Sequence, residues 1–187
     1  MIIALSGPSG IGKGYIKEAL METYPEIQEI VWYTTRELRP SEIGKSNRAH
    51  VSEAEFDSMA NSGELTLIQT HFGHRYAVKK DDLLDSSGVF LTELQPNNIE
   101  GAKAINPNII LIGLITDDIG LLRERLTDRR KTESEAEIAT RIASAEKEIE
   151  VIRNCEDYDD YIVISRENEP LVREIALGIF ANYYEGR

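Results

Sequence analysis

The chain has 187 residues, of which 41% are hydrophobic and 29% charged, and a formal net charge of −12. That length suits one sizeable core in a single domain, and no apolar run approaches the roughly 20 residues of a membrane-spanning helix. The acidity argues against nucleic acid as a partner, whose binding rests on cationic contacts to phosphates, while a small anion needs only a local cluster of positive groups. The opening Met1-Ile2-Ile3-Ala4-Leu5 is too short and lacks the charged flank of a signal peptide. Cys155 is the one cysteine, so no disulfide forms within the chain and no metal set gathers around it. A cytoplasmic location is the expectation.

In chain order, Ile2–Ser6 is an apolar run that reads as a buried parallel strand. Residues 7–14 form a glycine-rich loop. Tyr15, Ile16, Ala19, Leu20 and Tyr24 then recur at helical spacing until Pro25. Residues 27–33 read as a second strand. Ser52-Glu53-Ala54-Glu55 is a capping-box pattern ahead of Phe56 and Met59. Leu65–His71 alternates loosely before Gly73, as a strand does before a turn, and residues 89–94 and 109–115 are further strand-length apolar runs. Ile138, Ile142, Ala145, Ile149 and Ile152 mark an amphipathic helix. Residues 161–164 suggest a last strand, and Leu171, Ile175 and Ile179 with Val172, Ala176 and Phe180 a closing helix. No repeat or linker interrupts the chain. Strands alternating with helices predict an α/β fold with a mainly parallel sheet.

Gly7-Pro8-Ser9-Gly10-Ile11-Gly12-Lys13 fits G-x-x-x-x-G-K, after a strand and at the start of a helix. Glycines let successive backbone N–H groups turn inward around a phosphate chain. The helix adds its positive end, and Lys13 a cation for the β- and γ-phosphates. ATP is the expected ligand, held by Gly7, Pro8, Ser9, Gly10, Ile11, Gly12, Lys13, Gly14 and Tyr15. The Ser or Thr that usually follows the lysine and holds Mg²⁺ is replaced by Gly14, and the Tyr15 hydroxyl is a poor substitute. Mg²⁺ is therefore expected to be held through substrate phosphates and water, with no protein ligand of its own. Further on, Arg36 and Arg39 stand three apart beside a strand end. They suit a bidentate grip on an anion, or two solvated surface arginines.

Taken together, the loop, Thr34-Thr35-Arg36 with Arg39-Pro40, and Val51-Ser52-Glu53-Ala54-Glu55-Phe56 resemble the guanylate kinase family. So do Arg75-Tyr76, Arg125-Leu126, Arg129, Arg141-Ile142 with Glu148, and residues 158–164. The order runs across nearly the whole chain. The resemblance implies a P-loop nucleotide kinase fold: a mainly parallel core sheet with helices on both faces (about 1–33 and 86–187), a small acceptor-binding lobe (about 34–85) and a helical lid (about 125–145). It implies transfer of the ATP γ-phosphoryl group to a phosphate already on a small acceptor, nominally GMP or dGMP. Arg36, Arg39 and Tyr76 would grip the acceptor phosphate, and Lys13, Arg129 and Arg141 would serve the transferred group. Read from the sequence alone, Arg141 also suits an ion pair with a neighbouring carboxylate. Nothing implies a membrane partner, and either a monomer or a homodimer fits.

The base-reading positions depart from that family's pattern. Leu67 stands where a carboxylate pairs with guanine, Val78 where a small hydroxyl residue is usual, and Trp32-Tyr33 where a serine precedes the Thr-Thr-Arg motif. Thr92-Glu93 leaves Glu93 as the surviving acid, and Arg48 replaces a tyrosine at the acceptor phosphate. An unpaired buried polar edge costs about 1–3 kcal/mol, so guanine selection is expected to weaken. Arg48, His50, His71, His74 and Arg75 offer contacts to a more anionic or sugar-like acceptor. The alternatives are an enzyme similar to the ribose 1,5-bisphosphate phosphokinases and a non-catalytic guanylate-kinase-like binding module. A GTPase switch is disfavoured, because neither N-K-x-D nor D-x-x-G occurs.

Overall fold

The computed structural model describes residues 1–39, 42–44, 47–71, 73–85, 87–129 and 134–186; the Arg129 side chain is outside that description. Two sheets organise the chain. In the first, β1 (Ile2–Ser6) lies at the centre, and all five of its residues are buried. It pairs in parallel with β7 (Val89–Glu93) and β8 (Ile110–Ile115), and β2 (Ile27–Glu29) and β9 (Asp160–Val163) extend the order to β2-β7-β1-β8-β9. Every pairing is parallel, which demands crossovers and cover on the sheet's faces and explains the unbroken apolar runs of β1 and β8. The cover comes from α1 (Lys13–Thr23), α3 (Ile99–Ile105), α4 (Ile119–Arg129), α5 (Glu135–Asn154) and α6 (Val172–Glu185).

The second sheet has the order β4-β3-β6-β5, from β3 (Trp32–Thr34), β4 (Arg48–His50), β5 (Leu65–His71) and β6 (His74–Lys79). Across it lies α2 (Glu53–Asn61), started by the expected capping box: the Glu55 N–H donates to Ser52 Oγ and the Ser52 N–H to Glu55 Oε2. Phe56, Leu65 and Ala77 make a small core of their own between helix and sheet. The hairpin pairing of β5 and β6 slips between Thr66 and Gln69. Leu67 sits in that bulge with φ of 51°, a left-handed conformation rare outside glycine.

The single strand expected over 27–33 is two strands in different sheets. The Ile30 N–H still bonds the Leu91 carbonyl oxygen of the core sheet at 3.0 Å, but Trp32 pairs with Arg48 and Val78 of the other. Hydrophobicity is continuous across that change of sheet, so the sequence carries no mark of it. The closing helix buries Val172, Ala176 and Phe180, while Leu171 and Ile175 of the other expected stripe are exposed. Periodicity gives no sign of β4, β6, α3 or α4: the strands are short or half-exposed, and among its described side chains α4 buries only Leu121, Leu122 and Leu126.

A partly buried ion cluster ties α1 to the core sheet. Lys17 bridges Glu29 at the end of β2 and Glu93 at the end of β7, the latter at 3.0 Å. Asn47 Nδ2 also donates to Glu29, at 3.0 Å. Burial favours a neutral Lys17, but Glu93 and Glu29 outweigh it and raise its pKa. Burial likewise opposes the charge on Glu93, and Lys17 and Lys13 reverse that and lower its pKa.

Two stability predictions follow from this packing. Phe56→Ala empties the small core and costs about 3–5 kcal/mol, read from the urea unfolding midpoint. Lys17→Met leaves two carboxylates facing each other without their cation and costs about 3–5 kcal/mol at neutral pH. The Glu93 pKa is depressed in the folded state, so the cluster's contribution is present above the ordinary carboxylate pKa and lost as pH falls through the folded value. The gap between wild type and Lys17→Met, measured by urea titration at several pH values, should therefore narrow in acid.

Candidate active site

The loop after β1 turns through Gly7 to Gly12 into α1. A Cβ on Gly7 would stand 2.7 Å from the Leu114 carbonyl oxygen, and Gly12 has φ of 118°, so each place demands glycine for its own reason. Gly14 has open space around it and is under no such demand. While α2 and α5 carry capping boxes with acidic first turns, α1 has no side-chain cap and no acid in its first turn. Its leading N–H groups are left to a ligand, and an anion is what they suit. Lys13 Nζ lies over the loop and donates to the carbonyls of Gly7 (2.6 Å) and Pro8 (3.1 Å). Tyr15 is 51% exposed, off the stripe of Ile16, Ala19 and Leu20 that faces the core.

From the far side, Arg125 of α4 braces this loop. Its Nη1 donates to the Ile11 carbonyl at 2.7 Å, and its Nη2 to Glu169. Those bonds tie the loop to α4 and, through Glu169, to the segment ahead of α6. Arg129 closes α4, but its side chain and residues 130–133 fall outside the described residues, as do Pro40 and Ser41. Arg141 stands half-buried on α5, two turns before Glu148. Burial pushes the Glu148 carboxyl above the usual carboxylate range, against the Ser144 hydroxyl and the charges of Lys13 and His71.

The second sheet assembles a cationic cluster. Register sets Thr34 of β3 between His50 of β4 and Tyr76 of β6. The Arg36 N–H donates to Thr34 Oγ1 at 3.1 Å, fixing where the arginine leaves the strand. Arg36 Nε then donates to the Tyr76 hydroxyl (3.2 Å), and Nη2 to both oxygens of Glu42 (2.9 and 2.8 Å). Arg48 Nε lies 3.5 Å from the same carboxylate, and the Arg39 backbone N–H donates to it at 2.8 Å. Arg36, Tyr76 and Arg48 therefore converge, with Arg39 contributing its backbone to the contact. His50 Nδ1 is 3.2 Å from the Arg36 carbonyl oxygen and His71 Nε2 is 3.3 Å from Gln95. Arg75 is turned away onto α2, over the Phe56 ring and paired with Asp57.

Between the sheets is a cleft lined by Lys17, Glu29, Ile30, Trp32, Asn47, Arg48, Thr92 and Glu93. Trp32 Nε1 donates to Thr92 Oγ1 at 3.1 Å, so those two polar groups satisfy each other. Of the three positions that set the sequence apart from guanine recognition, Trp32 lines this cleft. Val78 is buried in the main core and Leu67 leans on it, within 3.1 Å of a Cβ placed on Gly101. The case against guanine thus narrows to Trp32. The sequence reading passed over Glu42, Lys17 and the bracing role of Arg125. Lys17 carries a legible signal, one helical turn after Lys13, whereas Glu42 and Arg125 act through loop geometry that no spacing reveals. Among the described residues, no three His, Cys, Asp or Glu side chains gather to hold a metal ion, and no helix is long and apolar enough to cross a membrane.

A model of the guanylate kinase family matches residues 1–171. The guanylate kinase of Lactobacillus acidophilus is 36% identical over 169 residues, covering 87% of this chain and 80% of that protein. That of Lactiplantibacillus plantarum is 32% identical, covering 93% and 84%. Among solved structures, guanylate kinase from Anaplasma phagocytophilum superposes with a TM-score of 0.67 at 22% identity, over 97% of this chain and 85% of that one. Shikimate kinase from Acinetobacter baumannii superposes at 0.52 and 15%, over 100% and 94%. Those two likenesses speak for a P-loop kinase fold, and the family model and curated relatives for more: this chain belongs to the guanylate kinase family.

Proposed function

We propose that the chain transfers the γ-phosphoryl group of ATP to the phosphate of a nucleoside monophosphate, with GMP as the first acceptor to test. The observation that carries this reading is that the chain builds two anion-suited places, one on each sheet. One is the uncapped start of α1 under Lys13, the other the Arg36–Tyr76–Arg48 cluster. The curated relatives are named guanylate kinases, which supports GMP.

The chemistry asks for little covalent help. A phosphate monoester is largely a dianion at neutral pH, its second pKa being about 6, so the acceptor needs no general base. One of its oxygens attacks Pγ as the Pγ–O bond to ADP breaks, and catalysis reduces to alignment and neutralisation of charge. In this reading residues 7–15 hold the ATP phosphates and Lys13 follows the β- and γ-oxygens. Arg36, Arg39, Arg48 and Tyr76 fix the acceptor phosphate. Arg129 and Arg141 close over the group in flight and exclude water. Glu93 accepts hydrogen bonds from the acceptor's base or sugar. The residues at the loop fit ATP, since α1 leaves its N–H donors uncapped. For Mg²⁺ they supply no hydroxyl at residue 14, and the Ser6 hydroxyl is taken by Tyr158 at 2.8 Å. When bound through substrate phosphates and water, Mg²⁺ would neutralise phosphate charge. A cytoplasmic small-molecule enzyme fits these assignments, as monomer or homodimer.

Trp32 favours a second reading. Its indole fills the wall beside Thr92 and narrows the room for a base, which suits a phosphorylated sugar such as ribose 1,5-bisphosphate. ADP release with purified protein, ATP and Mg²⁺ separates the two, using GMP, dGMP, other nucleoside monophosphates and ribose 1,5-bisphosphate. Stimulation by none of them, with ATP–Mg²⁺ binding absent in calorimetry, would leave a non-catalytic module.

Lys13→Met is expected to lower kcat by a factor on the order of 10²–10³, with folding unchanged by circular dichroism. Arg125→Met frees the Ile11 carbonyl and loosens the loop; it should weaken ATP binding about tenfold, the worth of one charge-assisted hydrogen bond, in calorimetry, while acceptor binding is unaltered.

A further inference from the structure

Glu42 is a puzzle in the acceptor cluster: a carboxylate stands where the proposed function needs to bind an anion. Its side chain is only 16% exposed, and it receives more hydrogen bonds than any surface acid requires. Arg36 Nη2 donates to both oxygens, Arg48 Nε approaches Oε1, and the Arg39 N–H donates to Oε2. Two explanations compete. Either the carboxylate occupies the phosphate's place until substrate displaces it, or it is a fixed part of the clamp.

The backbone decides between them. The Glu42 N–H donates to the Arg39 carbonyl oxygen at 2.8 Å, and the Arg39 N–H returns a bond of 2.8 Å to the Glu42 carboxylate. The carboxylate thus answers a backbone donor as well as two guanidinium groups, and a phosphate that displaced it would forfeit all three contacts. Arg36 is held equally firmly. Its Nε is on Tyr76, its Nη1 on the Glu37 carbonyl at 2.7 Å, and its Nη2 on Glu42, which together fix the plane of the guanidinium. Charge agrees with geometry. Arg36 and Arg48 bring two positive charges to the one Glu42 carboxylate, so the contact stays net cationic. Burial alone would raise the Glu42 pKa, and the Arg39 N–H, Arg36 and Arg48 reverse that, so the acid stays ionised.

We infer that Glu42 is a positioning residue of the acceptor-phosphate clamp: its carboxylate fixes the Arg36 guanidinium beside Tyr76. The inference rests on the acceptor role proposed above for Arg36.

The test compares wild type, Glu42→Gln, Glu42→Asp, Arg36→Met and the double variant in ADP-release kinetics, with calorimetry against GMP and ribose 5-phosphate. Glu42→Gln should raise the acceptor KM, and Kd, about tenfold or more, the worth of one or two charge-assisted hydrogen bonds. The kcat and the KM for ATP should stay within about threefold of wild type, a margin small beside a tenfold loss. Glu42→Asp should recover part of the loss. Effects of Glu42→Gln and Arg36→Met should be non-additive, because one acts through the other. A lower acceptor KM in Glu42→Gln would show a displaceable plug and overturn the inference. Equal losses for ATP and acceptor, together with a fallen melting temperature, would reduce Glu42 to a structural role and also overturn it. Calorimetry needs no turnover, so acceptor binding without ADP release would sink the proposed reaction while leaving the Glu42 comparison readable as Kd. Wild-type binding to neither probe would overturn the clamp and this inference with it.

Discussion

The approach of Gly7 to the Leu114 carbonyl is the constraint on which the rest of the site depends. It lets β1 run in the middle of the sheet, closely flanked by β8, and still release its chain sharply toward α1. Any side chain at residue 7 would push the two strands' ends apart, and the loop would no longer curl beneath Lys13. From that one contact the start of α1 is placed at the carboxyl edge of a parallel sheet, where open α/β proteins bind ligands. Lys17, one turn further on, then reaches the ends of β2 and β7 and ties the loop's helix to the cleft wall.

An acidic chain handles its cationic groups in a consistent way. Arg36 is paired with Glu42, Lys17 with Glu29 and Glu93, and Arg125 with Glu169. Each cation is thereby held in one geometry before any substrate arrives, which lowers the ordering cost of binding. Partial neutralisation also keeps a cluster of like charges from repelling itself apart. The net charge of −12 is thus compatible with binding a small anion, because the cationic groups gather locally and are framed by fixed carboxylates.

The shape of the loop over residues 7–14 was legible in the sequence because it is carried by the backbone. The positive φ of Gly10 and Gly12 is a demand of local conformation, and local conformation is what a motif records. The isoleucine stripe of α5 and the capping box of α2 were legible for the same reason. The acceptor half was less so. Residues 27–33 divide between two sheets although their hydrophobicity is continuous, and β4 is a strand of three residues known only by its partner. Leu67 and Val78, noticed by their place in the chain, proved to be packing residues, and Glu42, not singled out, proved to be the hub of the cluster. Such roles arise from long-range contacts, which spacing along one chain does not encode.

Trp32 has a consequence beyond the width of the cleft. It is the one tryptophan of the chain, and its indole N–H is engaged with Thr92 at the wall beside Glu93 and Arg48. The chain's ultraviolet emission above that of tyrosine therefore originates at a single point, next to the place where an acceptor would sit. The protein carries its own optical reporter, and occupancy of this cleft is readable in the native chain without a label.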